Sequence, residues 1–233
     1  QGANTSLLQT SVYFLNAEKG FAVGVGDSMR MTTDGGLVWK RVYLGRWYDL
    51  NSVFFIDDFT GFAVGGSGSI LKSTNGGKNW TPLTSGTQEA LKSVYFTNSK
   101  TGFASGNRNT LLKTTDGGIT WKKQTSANNG CLFSVHFLDA QTGFVVGLDS
   151  TGTRGIIMKT TDGGTSWISQ FQDADGYFFS VDCVGAGTAF AVGYYGLIQK
   201  TVNSGESWLT VSSSCPPYPI RLQSVFFSDS VTG

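Results

Sequence analysis

The chain has 233 residues, 14% of them charged, and a formal net charge of +1. That balance argues against general nucleic-acid binding, which needs a basic surface, and no apolar run reaches the 18 or more residues of a membrane-spanning helix. Instead, 32 glycines and an aromatic content of 13% suit a turn-dense, all-β protein.

The chain opens on a polar segment at Gln1, which suits a mature terminus left by cleavage of a leader, and the protein is expected outside the cytoplasm. From residue 7 the sequence repeats, in units at about 7–47, 48–89, 90–130, 131–176 and 177–220, with a partial sixth at 221–233. Each unit starts with a Ser-Val anchor, at Ser11, Ser52, Ser93, Ser134, Ser180 and Ser224, as in "SVYF" and "SVFF". Next comes "GFAVG" or a near variant, starting at Gly20, Gly61, Gly102, Gly143 and Ala189. A third run such as "ILKST" leads into a box that ends in Trp39, Trp80, Trp121, Trp167 and Trp208, with steps of 41, 41, 46 and 41 residues. The residues after the Trp, such as "TWKKQ", form a fourth run.

These runs are four to six residues long and rich in Val, Phe, Tyr, Ile and Thr, which fit a pleated, half-buried surface. Gly, Asn, Asp and Ser separate them, so the connections are turns. No window keeps a helical apolar period. Four strands in about 40 residues is the size of a β-propeller blade, whereas the coils of a β-helix are usually shorter. The predicted fold is an all-β propeller of four-stranded blades, with five complete blades and the first strand of a sixth. The complete ring is expected to have six or seven blades, with the chain continuing beyond Gly233. In the first strand the Val and the residue two further on (Phe14, Phe55, Phe96, Phe137, Cys183 and Phe227) share a face and are predicted to pack between blades. Cys183 is therefore expected to be a buried free thiol.

The boxes pair a hydroxyl with Asp34, Asn75, Asp116, Asp162 or Asn203, followed by Gly and then Trp. Asx followed by Gly is a strong hairpin signal, because tight turns need positive φ and the Asx side chain accepts backbone N–H groups. Asn serves a turn but not a general acid, so all five boxes read as structural. Each Trp is expected to pack its indole between blades.

The pattern Ser/Thr-x-Asp-x-Gly-x-x-Trp matches the Asp-box, or bacterial neuraminidase repeat. The fuller unit "SVFF…TGFAVG…ILKSTNGGKNW" resembles the photosystem II assembly factor-like propellers, a family also widespread in secreted bacterial proteins. The resemblance covers residues 7–233. It implies a box hairpin between the third and fourth strands at the blade periphery. It also raises a role in assembling a membrane complex of the photosystem type. Those assembly factors carry a basic patch on one face, whereas here the arginines are scattered over several loops. A sialidase-like glycoside hydrolase is the enzyme alternative. Sialidases also need an arginine triad, a Tyr–Glu pair and an acidic proton donor. The only glutamates, Glu18, Glu89 and Glu206, lie near no tyrosine in sequence, and "YPIR" at Tyr218–Arg221 has the wrong order for the sialidase motif. Any such enzyme would draw its catalytic residues from outside this segment.

If strands alternate up and down, the box turns share one face with the first-to-second loops, "NAEK", "DDFT", "NSKT" and "DAQT". The second-to-third loops and the blade-to-blade links lie on the other. That second face takes all the irregularity, with five extra residues around Leu148–Gly155 and three around Ser212–Ile220. Variable loops on a rigid scaffold are where binding sits. The same face carries Arg41, Arg46, Trp47, Tyr48, Arg108, Arg154, Tyr194, Tyr195, Tyr218 and Arg221, with Tyr43. Arginine with aromatics is the composition of protein-binding hot spots. The expected role is non-enzymatic binding of a protein or glycan partner by a secreted or cell-surface module. Catalytic residues, metals and cofactors are not expected, since no EF-hand-like run of carboxylates occurs and Cys131, Cys183 and Cys215 follow no metal spacing.

His136 and Asp182 replace aromatics at one inner-strand position (compare Tyr13, Phe54, Tyr95 and Phe226) and are expected to form a structural contact. Asp27-Ser28-Met29, Asp149-Ser150-Thr151 and Asp229-Ser230-Val231 resemble an envelope O-glycosylation acceptor, and Asn4-Thr5-Ser6 and Asn79-Trp80-Thr81 fit the N-glycosylation pattern.

Overall fold

The computed structural model describes residues 8–26, 28–125, 130–173, 176–185, 187–211 and 220–228. Its strands form five four-stranded sheets, each built from four strands consecutive in the chain. The first is β1 (Gln9–Phe14), β2 (Gly20–Gly24), β3 (Arg30–Thr32) and β4 (Lys40–Arg41). The second is β5 (Leu50–Phe55), β6 (Gly61–Gly65), β7 (Ile70–Ser73) and β8 (Thr81–Leu83). The third is β9 (Leu91–Phe96), β10 (Gly102–Gly106), β11 (Thr110–Thr114) and β12 (Lys122–Lys123). The fourth is β13 (Cys131–Phe137), β14 (Gly143–Leu148), β15 (Gly155–Thr160) and β16 (Ile168–Asp173). The fifth is β17 (Phe178–Val184), β18 (Thr188–Gly193), β19 (Ile198–Thr201) and β20 (Leu209–Thr210). These are the four-stranded propeller blades that the repeats predict. By its contacts the chain forms two compact units, Gln1–Gly102 with Thr114–Lys122, and Phe103–Lys113 with Lys123–Gly233.

In the first unit, β1 lies beside β5 and β5 beside β9. The predicted Val/Phe face is the one buried there, with Val53, Phe55, Val94 and Phe96 all under 5% exposed. Phe21, Val23, Met29, Leu50, Leu71 and Trp80 join Val53 and Phe55 in one apolar cluster. Val12 and Phe14 of β1 depart from the pattern and stay 61% and 42% exposed, since no strand covers that face of β1 among the described residues. In the second unit, β13 lies beside β17, and Phe144, Val146, Phe178 and Val181 build the core with half-buried Cys183 packed against it. Cys183 and Cys131 are free thiols. Burial pushes the Cys183 thiol well above its usual pKa, and the charges of Asp182 and Asp139 push the same way.

Within each unit neighbouring inner strands are tied by side chains, and no backbone ladder runs between them among the described residues. The anchoring serine explains itself here: Ser52 Oγ accepts the Val94 N–H, Ser134 Oγ the Val181 N–H and Ser180 Oγ the Val225 N–H. One residue before that serine the ladder slips, as the register shifts at 9/11, 50/52, 132/134 and 178/180 record. A bulge frees one side chain from the pleat and re-aims it. Thr10 Oγ1 accordingly donates to the Leu50 carbonyl at 2.7 Å, and Asn51 Nδ2 to the Leu91 carbonyl at 2.7 Å.

The first strand expected in a sixth repeat is an extended segment without a ladder of its own. Residues 220–228 run along β17 and β18. Arg221 bridges Tyr194, the Leu222 N–H donates to the Gly193 carbonyl, and the Phe227 ring stacks 4.4 Å from Phe190. Strand pairing needs a partner strand, and none flanks its other side among the described residues.

Candidate functional site

The boxes fold as turns between the third and fourth strands. In the third blade the Asp116 carboxylate accepts the Thr114 hydroxyl at 2.8 Å, the Thr120 N–H at 2.9 Å and the Thr120 hydroxyl at 2.6 Å. Asp34 is bound by Thr32 and Val38, and Asp162 by Thr160, Thr165 and Ser166. Asn75 and Asn203 accept the same two bonds, from Ser73 and Asn79 and from Thr201 and Ser207. These bonds all come from donors on the same hairpin, and in the Asp boxes they favour the ionised form. The Thr120 hydroxyl, followed by the Thr120 N–H and the Thr114 hydroxyl, holds the Asp116 carboxyl down to about 2. The Val38 N–H lowers Asp34, and the Ser166 hydroxyl holds Asp162 well below the usual range. A proton donor would need the opposite setting, a raised pKa.

The indoles close the same turns onto the core. Trp80 stands edge-on to Phe21 and Phe55, Trp121 to Phe62 and Phe96, Trp167 to Phe103 and Phe137, and Trp208 to Phe144. Trp39 meets only Phe14 among the ring contacts and is half-buried.

Within each unit, backbone bonds group the box turns with the first-to-second loops and set them apart from the second-to-third loops. Each box turn docks on the first-to-second loop, as in Gly35 N–H to the Glu18 carbonyl and Gly76 N–H to that of Phe59. On the other face the second-to-third loops bind the blade links, as in Gly66 N–H to Asp49 and Tyr194 N–H to Tyr177. Three second-to-third loops turn through two successive positive-φ residues, at Ser67–Gly68, Arg108–Asn109 and Tyr195–Gly196. Such turns favour Asn or Gly at the first position. Here Ser, Arg and Tyr hold it, at φ 52°, 49° and 59°. For a side chain as large as tyrosine this is a costly conformation that places the ring at the loop tip.

The arginines and aromatics of these loops form one cluster in each unit. In the first unit, Arg46 lies 4.6 Å over the Tyr48 ring. Trp47 beside it is 80% exposed. Tyr48 is 6% exposed and packs beneath the Arg46 guanidinium. Two cavities open here, of about 310 and 280 Å³, sharing Arg46, Tyr48, Ser67 and Ser69 as lining. In the second unit a chain of rings runs Phe133–Phe179–Tyr177–Tyr194–Tyr195, with centroid spacings of 5.7, 5.0, 5.1 and 4.3 Å. Arg221 caps it, 5.1 Å over Tyr194. Tyr195 ends it, 59% exposed. Phe133, Tyr177 and Phe179 were not among the expected contact residues. Phe133 and Phe179 sit at the bulges, and the run Tyr177-Phe178-Phe179 before Ser180 was their only signal.

The remaining arginines join neither cluster. Arg41 ends the outer strand opposite Arg30, Arg108 occupies its loop tip, and Arg154 bridges Gly176. Tyr218 and Cys215 lie outside the described residues, as do Asn4-Thr5-Ser6, Asp229-Ser230-Val231, Asp27 and most of Ser212–Ile220. Asn79 and Thr81 are exposed on the second box hairpin.

His136 and Asp182 do meet, with Nδ1 3.0 Å from Oδ1. Both are acceptors for the next inner strand: the Cys183 N–H reaches His136 Nδ1 at 2.8 Å, and the Phe227 N–H reaches Asp182 Oδ2 at 2.7 Å. The pair is thus a suture between strands. No group of three or more His, Cys, Asp or Glu that could hold a metal occurs among the described residues, and none of their helices is long and apolar enough to cross a membrane.

A family model described as "Photosynthesis system II assembly factor YCF48" matches residues 3–88 and 126–225, and a BNR/Asp-box repeat model matches residues 112–123. No curated protein sequence matches the chain. Among solved structures it is similar to YCF48 bound to a D1 peptide, with 19% identity, TM-score 0.70, and coverage of 90% of this chain and 68% of that one. It is also similar to the GH74 enzyme of Niastella koreensis, with 17% identity, TM-score 0.71, and coverage of 87% and 38%. The WD40 repeats of RRP9 align at 9% identity and TM-score 0.71, covering 91% and 67%. At these identities the likenesses establish the propeller fold and nothing narrower.

Proposed function

The chain belongs to the photosynthesis system II assembly factor YCF48 family, and from that premise we propose that it is a non-catalytic module whose loop-variable face binds another protein. The observation that carries this reading is Tyr195. A bulky ring is kept at a left-handed loop tip, exposed, at the end of a continuous file of aromatic side chains capped by Arg221. Core packing supplies no reason for that arrangement, and strain of this kind concentrates at binding sites. Tyr and Arg in a rigid setting are the residues that dominate protein interfaces. That a structural relative holds a peptide supports a protein partner over other ligands for this cluster.

The test is a photo-crosslinking amino acid placed at position 195 and, as control, at exposed Ile119 on the box face. A discrete protein adduct from position 195, lost on Arg221→Ala, is expected, with none from position 119. Equal labelling from both positions would remove the reading. The family match favours a narrower second reading, in which the captured partner is a subunit of a membrane complex under assembly. The identity of the adduct decides it. Placement outside the cytoplasm is part of the proposal, and cell fractionation tests it. A glycoside hydrolase is the weaker reading, because hydrolysis needs two carboxyl groups flanking the bond. Of the two cavities at Arg46, one is lined by Asp49 alone and the other by no carboxylate.

A further inference from the structure

We propose that the cleft beside Trp47 is a carbohydrate-binding site for a neutral oligosaccharide, separate from the partner site at Tyr195. Trp47 is 80% exposed and makes no ring contact among the described residues. Core packing therefore does not explain its position. Trp47 shares its cavity with the Arg46 guanidinium and the Ser67 and Ser69 hydroxyls, and the Gln88 amide lines the adjoining cavity that also holds Arg46, Ser67 and Ser69; none of these side chains has a hydrogen-bond partner among the described residues. The Asp49 carboxylate is committed at one oxygen only, to the Gly26 N–H at 2.9 Å.

The cleft is built to hold its shape. The Arg46 side chain rests on buried Tyr48. The Gly66 N–H ties the turn at 66–68 to the Asp49 carbonyl. Gly68, at φ +66°, lies so close to the Thr87 carbonyl that a Cβ would meet its oxygen at 2.0 Å, which locks that turn to the link after the second blade. Ser85 and Thr87 then fix the link through reciprocal bonds. Cavities of about 310 and 280 Å³ lie near the lower end of the range, about 300–1,000 Å³, usual for small-ligand sites.

The lining decides the class of ligand. One guanidinium and one carboxylate leave it neutral, so an anion would gain one charge contact and face repulsion from Asp49. Mixed donors and acceptors match a polyol, whose hydroxyls both give and accept. The exposed indole face suits the C–H face of a sugar ring, since aromatic side chains combine an apolar face with polar edges. An apolar peptide would leave these polar groups desolvated and unpaired.

A printed array of neutral and acidic oligosaccharides, probed with the full chain, tests this, followed by titration of cellohexaose and maltohexaose monitored by tryptophan fluorescence. Binding to at least one neutral oligosaccharide is expected. Trp47→Ala should weaken it at least about tenfold, a loss of about 1.4 kcal/mol, while Trp47→Phe retains measurable binding. Unfolding midpoints of both variants should match the parent, because the side chain is exposed. Tyr195→Ala should leave sugar binding unchanged, which separates failure of this site from failure of the partner site. No binding to any neutral oligosaccharide, binding unaltered in Trp47→Ala, or selection of acidic over neutral sugars would each overturn the assignment.

Discussion

Gly77 lies against the Phe21 ring of the neighbouring blade: a Cβ on this glycine would meet two ring carbons at 2.3 Å. The second glycine of the later boxes repeats the contact, as with Gly164 against Phe103. Positive φ and lack of space act together, since Gly77 is also at φ +79°. Gly77→Ala should therefore cost about 2–5 kcal/mol, combining left-handed strain of about 1–2 kcal/mol with overpacking of about 1–3 kcal/mol. Gly86→Ala, at φ +77° with nothing within 4 Å, should lose only the strain. Urea unfolding of the two variants separates the contributions, and equal losses would mean that backbone conformation alone selects glycine.

The box carboxylates should be legible in acid. Asp116 is held at about 2 in the folded chain, below an unfolded value of about 3.9. A group whose folded pKa is depressed adds stability above its unfolded pKa and loses it as pH falls through the folded one. The Asn at 75 and 203 has no such titration. Asp116→Asn should therefore lag the parent most above about pH 4, and the gap should shrink as pH approaches about 2. The site is at the surface, so the gap is small. Urea midpoints across this range measure it; a gap independent of pH would mean that the carboxylate's charge adds nothing.

Asp182 offers a test of the strand sutures. Its two oxygens accept N–H groups from Cys183 and, across the blade junction, from Phe227. Asp182→Ala strips the half-buried Phe227 N–H of its acceptor and should cost about 1 kcal/mol, the low end of the penalty for an unsatisfied donor. Asp182→Asn keeps an oxygen for one of the two donors and should cost less. His136→Phe restores the aromatic of Tyr13 and Phe54 at that slot, and Cys183 retains Asp182 as acceptor, so this change should be tolerated. Amide exchange at Phe227 reads the local effect: fast exchange in Asp182→Ala and parent-like protection in His136→Phe are expected.

What the sequence made legible was local. The strand faces follow from alternation, and the box hairpins follow from Asx-Gly chemistry within eight residues. The face carrying the irregular loops followed from counting strands. The bulges were not legible, because a bulge is a property of register between two strands. Thr10 and Asn51 therefore reach the next blade without any signal in their own repeat. The ring file from Phe133 to Tyr195 joins residues more than 60 positions apart. Likewise, "RWY" at Arg46–Tyr48 gave three contact residues in sequence, whereas the fold of the link buries Tyr48 and leaves Trp47 exposed. Composition identified the face and its residue types, and packing alone decided which of them stand together.

Tyr195 brings stability and binding into opposition. Left-handed φ costs a non-glycine residue roughly 1–2 kcal/mol. The edge contact with Tyr194, at 4.3 Å, returns about 0.5–1.5 kcal/mol. Tyr195→Gly removes both, so the unfolding free energy should change by less than about 1 kcal/mol, with either sign. Partner capture at the loop face should nevertheless fall, since the exposed ring is lost. Tyr195→Phe keeps the ring, the strain and the contact and should preserve capture unless the hydroxyl itself bonds the partner. A Tyr195→Gly variant that is much less stable than the parent would identify the ring as a packing element. A variant equally stable and equally able to bind would move the partner site away from this tip.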